Sequence, residues 1–434
     1  MRNTTFAAAI FGTVSAGLLI GPSIAQDLIG RNSVGLAEAP NTLTFRLTAF
    51  DLYSSDDATR EGFEALFTDF IRARPDWKIE TQLQTASIGQ EQARILQQTL
   101  AGRGPDCAMI DSSQLALFKE NDVLKPMNMV FSDEEVADLF PYVREAVTNE
   151  EGDVLAWWWF TDLRVLYRDT SVVPDAPETW EELKAAALSA ADAGQEGILF
   201  NGGRWEGTAF DWLANFWAQG GRLVDDQGAP IFAEGENREK FLTAVAYVQD
   251  LVESGAAPQR VSSIVNYDAF NAAAAAGTAA MFVGGNWQYG QLRNTLSAED
   301  FANWAVSELP GPSADQRATG TGGWTIAALT DDPAKAAICG EIAKEIYAGP
   351  GNALQGLLPT SAALYDVYDA YEGPEFELFA DALQNGVSRP GAAIYPEISN
   401  QIQILLGAVL SGSSTAEEAL DAAADAVDLA FERL

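Results

Sequence analysis

The sequence predicts an α/β protein of two or three domains or lobes, with mainly parallel sheet flanked by helices and a helical C-terminus. Three observations carry that expectation. Strand-like and helix-like hydrophobic periods alternate along the first third of the chain. The length, 434 residues, exceeds what one small core occupies. Two Pro/Gly breaks, Leu309-Pro310-Gly311-Pro312 and Gly349-Pro350-Gly351, mark places where the chain can pass from one lobe to the other.

Residues 1–25 read as an export signal. Arg2 is the only charge before Asp27, residues 6–20 are nearly continuously apolar, and Ser23-Ile24-Ala25 offers the small residues a signal peptidase reads. Cleavage is expected after Ala25. The apolar run is short for a bilayer span, and no later stretch is long enough, so no membrane insertion is expected. Residues 26–41 mix Gly, Ser, Asn and Pro without periodicity and read as a flexible leader.

Thr42–Phe50 alternates Leu43, Phe45, Leu47 and Ala49 to one side, as a strand does. Glu61–Arg72 sets Phe63, Leu66, Phe67, Phe70 and Ile71 at helical spacing, and Pro75 stops it. Lys78–Leu83 is a second strand, Glu91–Ala101 a helix, and Cys107–Ile110 a short buried strand after the turn at Gly104-Pro105. Ligands in such sheets bind beyond the carboxyl ends of strands, which nominates Asp51, Tyr53, Asp111 and Ser113. Further on, Thr179-x-x-Glu182 is a capping box opening a helix. Asp211–Gln219 and Asn237–Ser254 read as helices, Thr278–Val283 and Thr325–Leu329 as strands, Pro333–Tyr347 as a helix. An alanine-rich amphipathic helix from about Ala416 ends the chain.

Composition excludes several functions. There are 26 basic against 62 acidic residues, a formal charge of −36, so phosphate-rich nucleic acids are not expected partners. The chain has no histidine, which removes Ser-His-Asp and Cys-His catalysis and His-ligated zinc. The two cysteines, Cys107 and Cys339, cannot build a cysteine-only metal site. An exported compartment permits a disulfide between them. Cys107 falls in a core-strand pattern and Cys339 in an amphipathic helix, so two buried free thiols are favoured. Asp225-Asp226-Gln227-Gly228 lacks the full calcium-loop pattern and reads as a turn. No metal and no cofactor are expected.

Several segments, in one order, resemble the sugar-binding type of bacterial extracellular solute-binding protein, the periplasmic component of ABC importers. They are Gly104-Pro105-Asp106 before its strand; Gly152 through Tyr167; Pro177-Glu178-Thr179-Trp180-Glu181-Glu182-Leu183; Gly277-Thr278-Ala279-Ala280-Met281-Phe282 running into Gly285-Asn286-Trp287; Gly322-Gly323-Trp324; Leu358-Pro359-Thr360-Ser361; and Ser411-Gly412 before Ala416-Glu417-Glu418-Ala419-Leu420. Trp158 departs from the pattern, standing where many relatives have proline. The resemblance implies the two-lobe periplasmic binding protein fold. Lobe 1 would comprise residues 42–156 and 310–349, and lobe 2 residues 157–309 and 350–434, with the ligand cleft between them. It also implies a non-enzymatic, monomeric periplasmic receptor that closes on a carbohydrate and delivers it to permease subunits.

Sugars present apolar faces to aromatic rings and hydroxyls to carboxylates, amides and Arg. The chain supplies 11 Trp for that work. Trp77, Trp180, Trp212 and Trp217 have apolar neighbours and read as packing. In an extended chain Trp157-Trp158-Trp159-Phe160 must alternate sides, so they cannot all face inward. The resemblance favours Trp159 as a cleft residue, places a stacking aromatic at Trp287, and matches Asp162 to an acid that bonds sugar hydroxyls. Trp287 and Trp324 each follow a Gly-Gly pair, where backbone and ring approach a ligand closely. Trp205, in a Gly-rich loop, either stacks on ligand or folds onto its own lobe. Arg389 and Tyr395 fall in the family's late cleft-lining segment; Arg389 either meets an anionic group or bridges two carboxylates. Two other readings remain at this level. One is a secreted glycoside hydrolase using a carboxylate pair. The other is the same fold caging a polyamine through cation–π contacts and ion pairs.

Overall fold

The computed structural model describes residues 28–434 except 50, 55, 86 and 87. The signal segment and its cleavage point lie outside the described residues. From Leu28 on, the segment read as a leader carries a short hairpin, β1 (Ile29–Gly30) and β2 (Ser33–Val34). It buries Val34 and pairs with the edge of the next strand but one.

β3 (Asn41–Leu47) turns Leu43, Phe45 and Leu47 into the core, all fully buried. α1 (Asp57–Arg72) begins four residues before the expected Glu61, because the Asp56 carboxylate accepts the Thr59 N–H as an N-cap. β4 (Trp77–Leu83), α2 (Ile88–Leu100) and β5 (Cys107–Asp111) complete the strand–helix rhythm. β6 is long, Trp157–Asp169. α3 (Trp180–Asp192) opens on the reciprocal Thr179/Glu182 capping box. β7 (Glu196–Leu199), α4 (Glu206–Trp217), α5 (Gly235–Glu253), β8 (Ala279–Gly285) and β9 (Trp304–Ser307) follow. β10 (Thr319–Ala328) is also long. α6 (Pro333–Ile342) runs into a π-helical stretch, Ala343–Gly351, where a continuous α-helix was expected. β11 (Gly386–Ser388), α7 (Tyr395–Leu410) and α8 (Ala416–Phe431) end the chain.

The strands pair in the order β1-β2-β4-β3-β5-β10-β6-β8-β7, with β11 on β10 and β9 on β6. Pairing is parallel among β3, β4 and β5 and between β7 and β8. β6 and β10 enter antiparallel, so the whole is mixed. These two strands are the joint of the molecule. The start of β6, Trp157–Phe160, pairs with β10 beside β5, and its end, Leu166–Asp169, pairs with β8 and β9.

The aromatic run at the start of β6 corrects the expectation that it could not all face inward. Trp157, Trp158, Trp159 and Phe160 are all buried. The sheet is covered on both faces here, so alternation buries both sets. The register also slips beside them, with Trp324 opposite Phe160 but Thr325 opposite Trp158, leaving Trp159 as the extra residue of a bulge. Gly323 sits at this slip with φ +135°, and an added Cβ would meet the Phe160 carbonyl oxygen at 2.1 Å, so the crossing needs glycine.

The preference for free thiols is corrected too. Cys107 on β5 and Cys339 on α6 form a disulfide, with their Cα atoms 5.7 Å apart. Burial of both was foreseen; that α6 packs over β10 next to β5, bringing them face to face, was not visible in local pattern.

Candidate functional site

Where β6 and β10 cross between the two strand groups, a cleft of about 500 Å³ opens. Each wall is set by a strand end or helix start. β5 ends in Asp111, whose Oδ1 accepts the Ser113 N–H at 2.9 Å and its hydroxyl at 2.6 Å. β10 pairs Trp324 with Asp111, so that ring and that acid arrive together. On β6, Asp162 and Arg164 are two residues apart and share a strand face. The loop before α4 delivers Trp205, and the first turn of α4 delivers Glu206, then Phe210 and Asp211. β8 runs out through Gly284-Gly285-Asn286 to Trp287. Arg389 follows β11 directly.

Two guanidiniums, that of Arg164 buried and that of Arg389 largely covered, organise the floor. Arg164 Nε donates to Asp211 at 2.6 Å and its Nη1 to Asp162 at 2.9 Å. Asp211 also accepts the Asn201 amide at 2.9 Å and the Tyr267 phenol at 2.7 Å. The Arg164 guanidinium lies 4.2 Å from the Phe210 ring centroid and 5.0 Å from that of Trp287. Burial works against its charge, but Tyr267, Asp162 and Asp211 outweigh it and hold the pKa above the usual arginine value. Burial pushes the Asp211 carboxyl upward, against the pull of Arg164, Asn201 and Tyr267. Arg389 donates to Glu206 at 3.2 Å, approaches Asp111 at 3.6 Å and stacks on Phe210 at 4.3 Å. Of the alternatives for Arg389, the structure thus displays the bridge between carboxylates.

Tyr267 stands edge-on between two tryptophans, with ring centroids 5.2 Å from Trp205 and 5.0 Å from Trp287. Its ring braces both indoles as walls, while its phenol is tied to Asp211 below. Aromatic faces beside carboxylate oxygens are a surface that fits a ring with an apolar face and a rim of hydroxyl donors.

Six residues nominated from sequence line this cleft: Asp111, Asp162, Trp205, Trp287, Trp324 and Arg389. The other five do not. Asp51 is fully buried, with the Tyr347 phenol donating to its Oδ2. Trp159 is fully buried too, its ring 5.0 Å from that of Tyr347, and the Asn352 amide donates to its carbonyl. Tyr53 bonds Thr81 at 2.6 Å and lines a separate surface groove with Arg31 and Gln82. Ser113 supports Asp111 from behind. Tyr395 is buried, and its phenol donates to Glu206 at 2.7 Å. Sequence reading missed Phe160, Arg164, Glu206, Phe210 and Tyr267. Arg164 was within reach, since alternation from Asp162 puts it on the same face. Glu206 adjoins Trp205 in the loop already singled out. Nothing local marks Tyr267.

The family model for bacterial extracellular solute-binding proteins matches residues 56–347, and the chain belongs to that family. Among solved structures it is similar to maltose-bound MalE3 of T. maritima, at 23% identity and a TM-score of 0.71, covering 89% of this chain and 99% of that one. The sugar-binding protein MalE from the phytopathogen Xanthomonas citri gives 19% and 0.74, covering 91% and 98%. The cyclic alpha-maltosyl-1,6-maltose binding protein from Arthrobacter globiformis gives 19% and 0.73, covering 91% and 100%. The architecture is therefore that of the two-lobe binding proteins. No helix among the described residues is long and apolar enough to cross a membrane.

Proposed function

We propose that the protein is the substrate-binding component of an ABC importer, exported to the periplasm, which closes its two lobes on a carbohydrate and delivers it to permease subunits. It acts as a monomeric receptor and not as an enzyme. The observation that carries this reading is the cleft itself, with Trp205, Trp287 and Trp324 beside Asp111 and Asp162 at the strand crossing. The sugars named for similar structures support the ligand class. The Cys107–Cys339 disulfide supports an oxidising compartment.

The lobes are part of the proposal. β3, β4 and β5 with α1 and α6 form one, and β7, β8 and β9 with α3, α4, α5, α7 and α8 form the other. β6 and β10 are two of the crossings. The Ser361 hydroxyl bonds Asp138, and Leu358 bridges Thr161, which supports a third crossing well after residue 350. Strand twisting at these crossings would bring the walls together over a bound ring.

The test is tryptophan fluorescence of the mature protein titrated with mono-, di- and oligosaccharides and with polyamines. Saturable binding of a carbohydrate without product on chromatography is expected. Trp287→Ala should weaken that binding roughly tenfold, the worth of one aromatic stack, with the fold retained by circular dichroism. A response to polyamines alone would move the ligand class, and product in the same tubes would refute the receptor reading.

A further inference from the structure

We infer that the cleft selects uncharged sugars over their uronic-acid counterparts, because both of its guanidiniums are already committed to carboxylates of the protein. The inference rests on the carbohydrate reading and sharpens it. A buried arginine in a sugar site would ordinarily point to an anionic ligand. Here Arg164 is held between Asp162 and Asp211, and Arg389 between Asp111 and Glu206. The floor thus holds two more carboxylates than guanidiniums. The buried phenols Tyr267 and Tyr395 do not change that balance, as burial holds both protonated.

Donor geometry points the same way. A ligand carboxylate is best met by two parallel N–H groups of one guanidinium. On Arg164 one side is taken by Asp211 and another by Asp162. On Arg389 the Nη groups face Glu206 and Asp111. Glu206 is not easily displaced, since the Tyr395 phenol and the Ser399 hydroxyl both donate to it. The Arg389 Nε–H is buried and has no partner among the described residues. Beside it Nη2 approaches Asp111 at 3.6 Å, so a ligand carboxylate drawn to that edge would meet the Asp111 carboxylate as well. The carboxylate rim accepts from sugar hydroxyls, whereas the carboxylate that replaces one of them in a uronate has no hydrogen to give it and meets like charge.

The experiment uses wild-type mature protein and matched ligands: glucose with glucuronate, galactose with galacturonate, and maltotriose with maltotriose oxidised to a uronic acid at its non-reducing end. Calorimetric affinities are compared within each pair at low and at moderate salt. The neutral member of a binding pair is expected to bind at least about tenfold more tightly, with the gap shrinking as salt rises. Glu206→Gln and Asp111→Asn, each of which removes one negative charge beside Arg389, should narrow the gap by improving the uronate. Equal or tighter uronate binding by wild type overturns the charge selection and leaves the carbohydrate reading standing. A gap unmoved by salt and by both variants assigns the discrimination to shape and overturns it as well. Failure of every sugar, neutral or acidic, to bind overturns the carbohydrate reading itself.

Discussion

Asp51 and Asp211 are both buried carboxylates near the strand crossing, and they are kept in opposite ways. Asp211 has a guanidinium, an amide and a phenol around it. Asp51 has the Tyr347 phenol and the backbone N–H groups of Leu52 and Tyr53, and no Lys or Arg pairs with it among the described residues. Burial, with only that hydrogen bonding against it, pushes Asp51 from the ordinary 3.8 up to about 7. One solution retains a charge by burying its counter-charge alongside. The other lets the group take up a proton. The first leaves a fixed array of charges in the cleft; the second keeps an uncharged wall of Trp159, Tyr347 and Phe45 behind it.

Removing the counter-charge should have the largest effect. Arg164→Met leaves Asp211 and Asp162 without their cation, and the expected loss is about 3–5 kcal/mol in chemical denaturation. A midpoint unchanged from wild type would show that the pair does not hold the site. The Asp51 contrast is read through pH. Its folded pKa lies above its unfolded one, so the folded state binds the extra proton between about 4 and 7. Its contribution to stability is complete below about 4 and is lost as pH rises to about 7. Wild type should therefore gain about 1.6 kcal/mol, relative to Asp51→Asn, on going from pH 7 to pH 5.5. Parallel pH curves for the two proteins would put the Asp51 proton elsewhere. The smallest effect is expected from Tyr267→Phe, which deletes one hydrogen bond to Asp211 and costs about 1 kcal/mol. Sugar affinity should fall further than that stability loss implies only if the phenol also fixes the brace between Trp205 and Trp287, which a parallel titration measures.

The same pair shows what was legible in the sequence. Strands whose burial alternates, such as β3 with Leu43, Phe45 and Leu47, leave their period in the residues, and so do helices with caps such as Thr179 and Glu182. Trp287 and Trp324 were found because a Gly-Gly pair at a strand end is a local mark. Asp51 satisfied the same strand-end logic as Asp111, yet it is covered by Tyr347, nearly 300 residues away on a stretch read as ordinary helix. Trp159 was nominated as a wall and is buried by a register slip that only the pairing with β10 reveals. Tyr267 reaches Asp211, and Tyr395 reaches Glu206, through contacts between distant segments, and no short window of the chain contains either pair.

The Cys107–Cys339 bond has a practical corollary. It closes a covalent ring with a sequence separation of 232 residues, and β6 through β10 all lie on that ring. A protease that nicks any exposed loop inside it cannot release a fragment. The cut protein will run as one species on a non-reducing gel and separate into pieces only after thiol is added. Limited proteolysis read solely without reductant would therefore report an intact receptor where the peptide backbone is already broken.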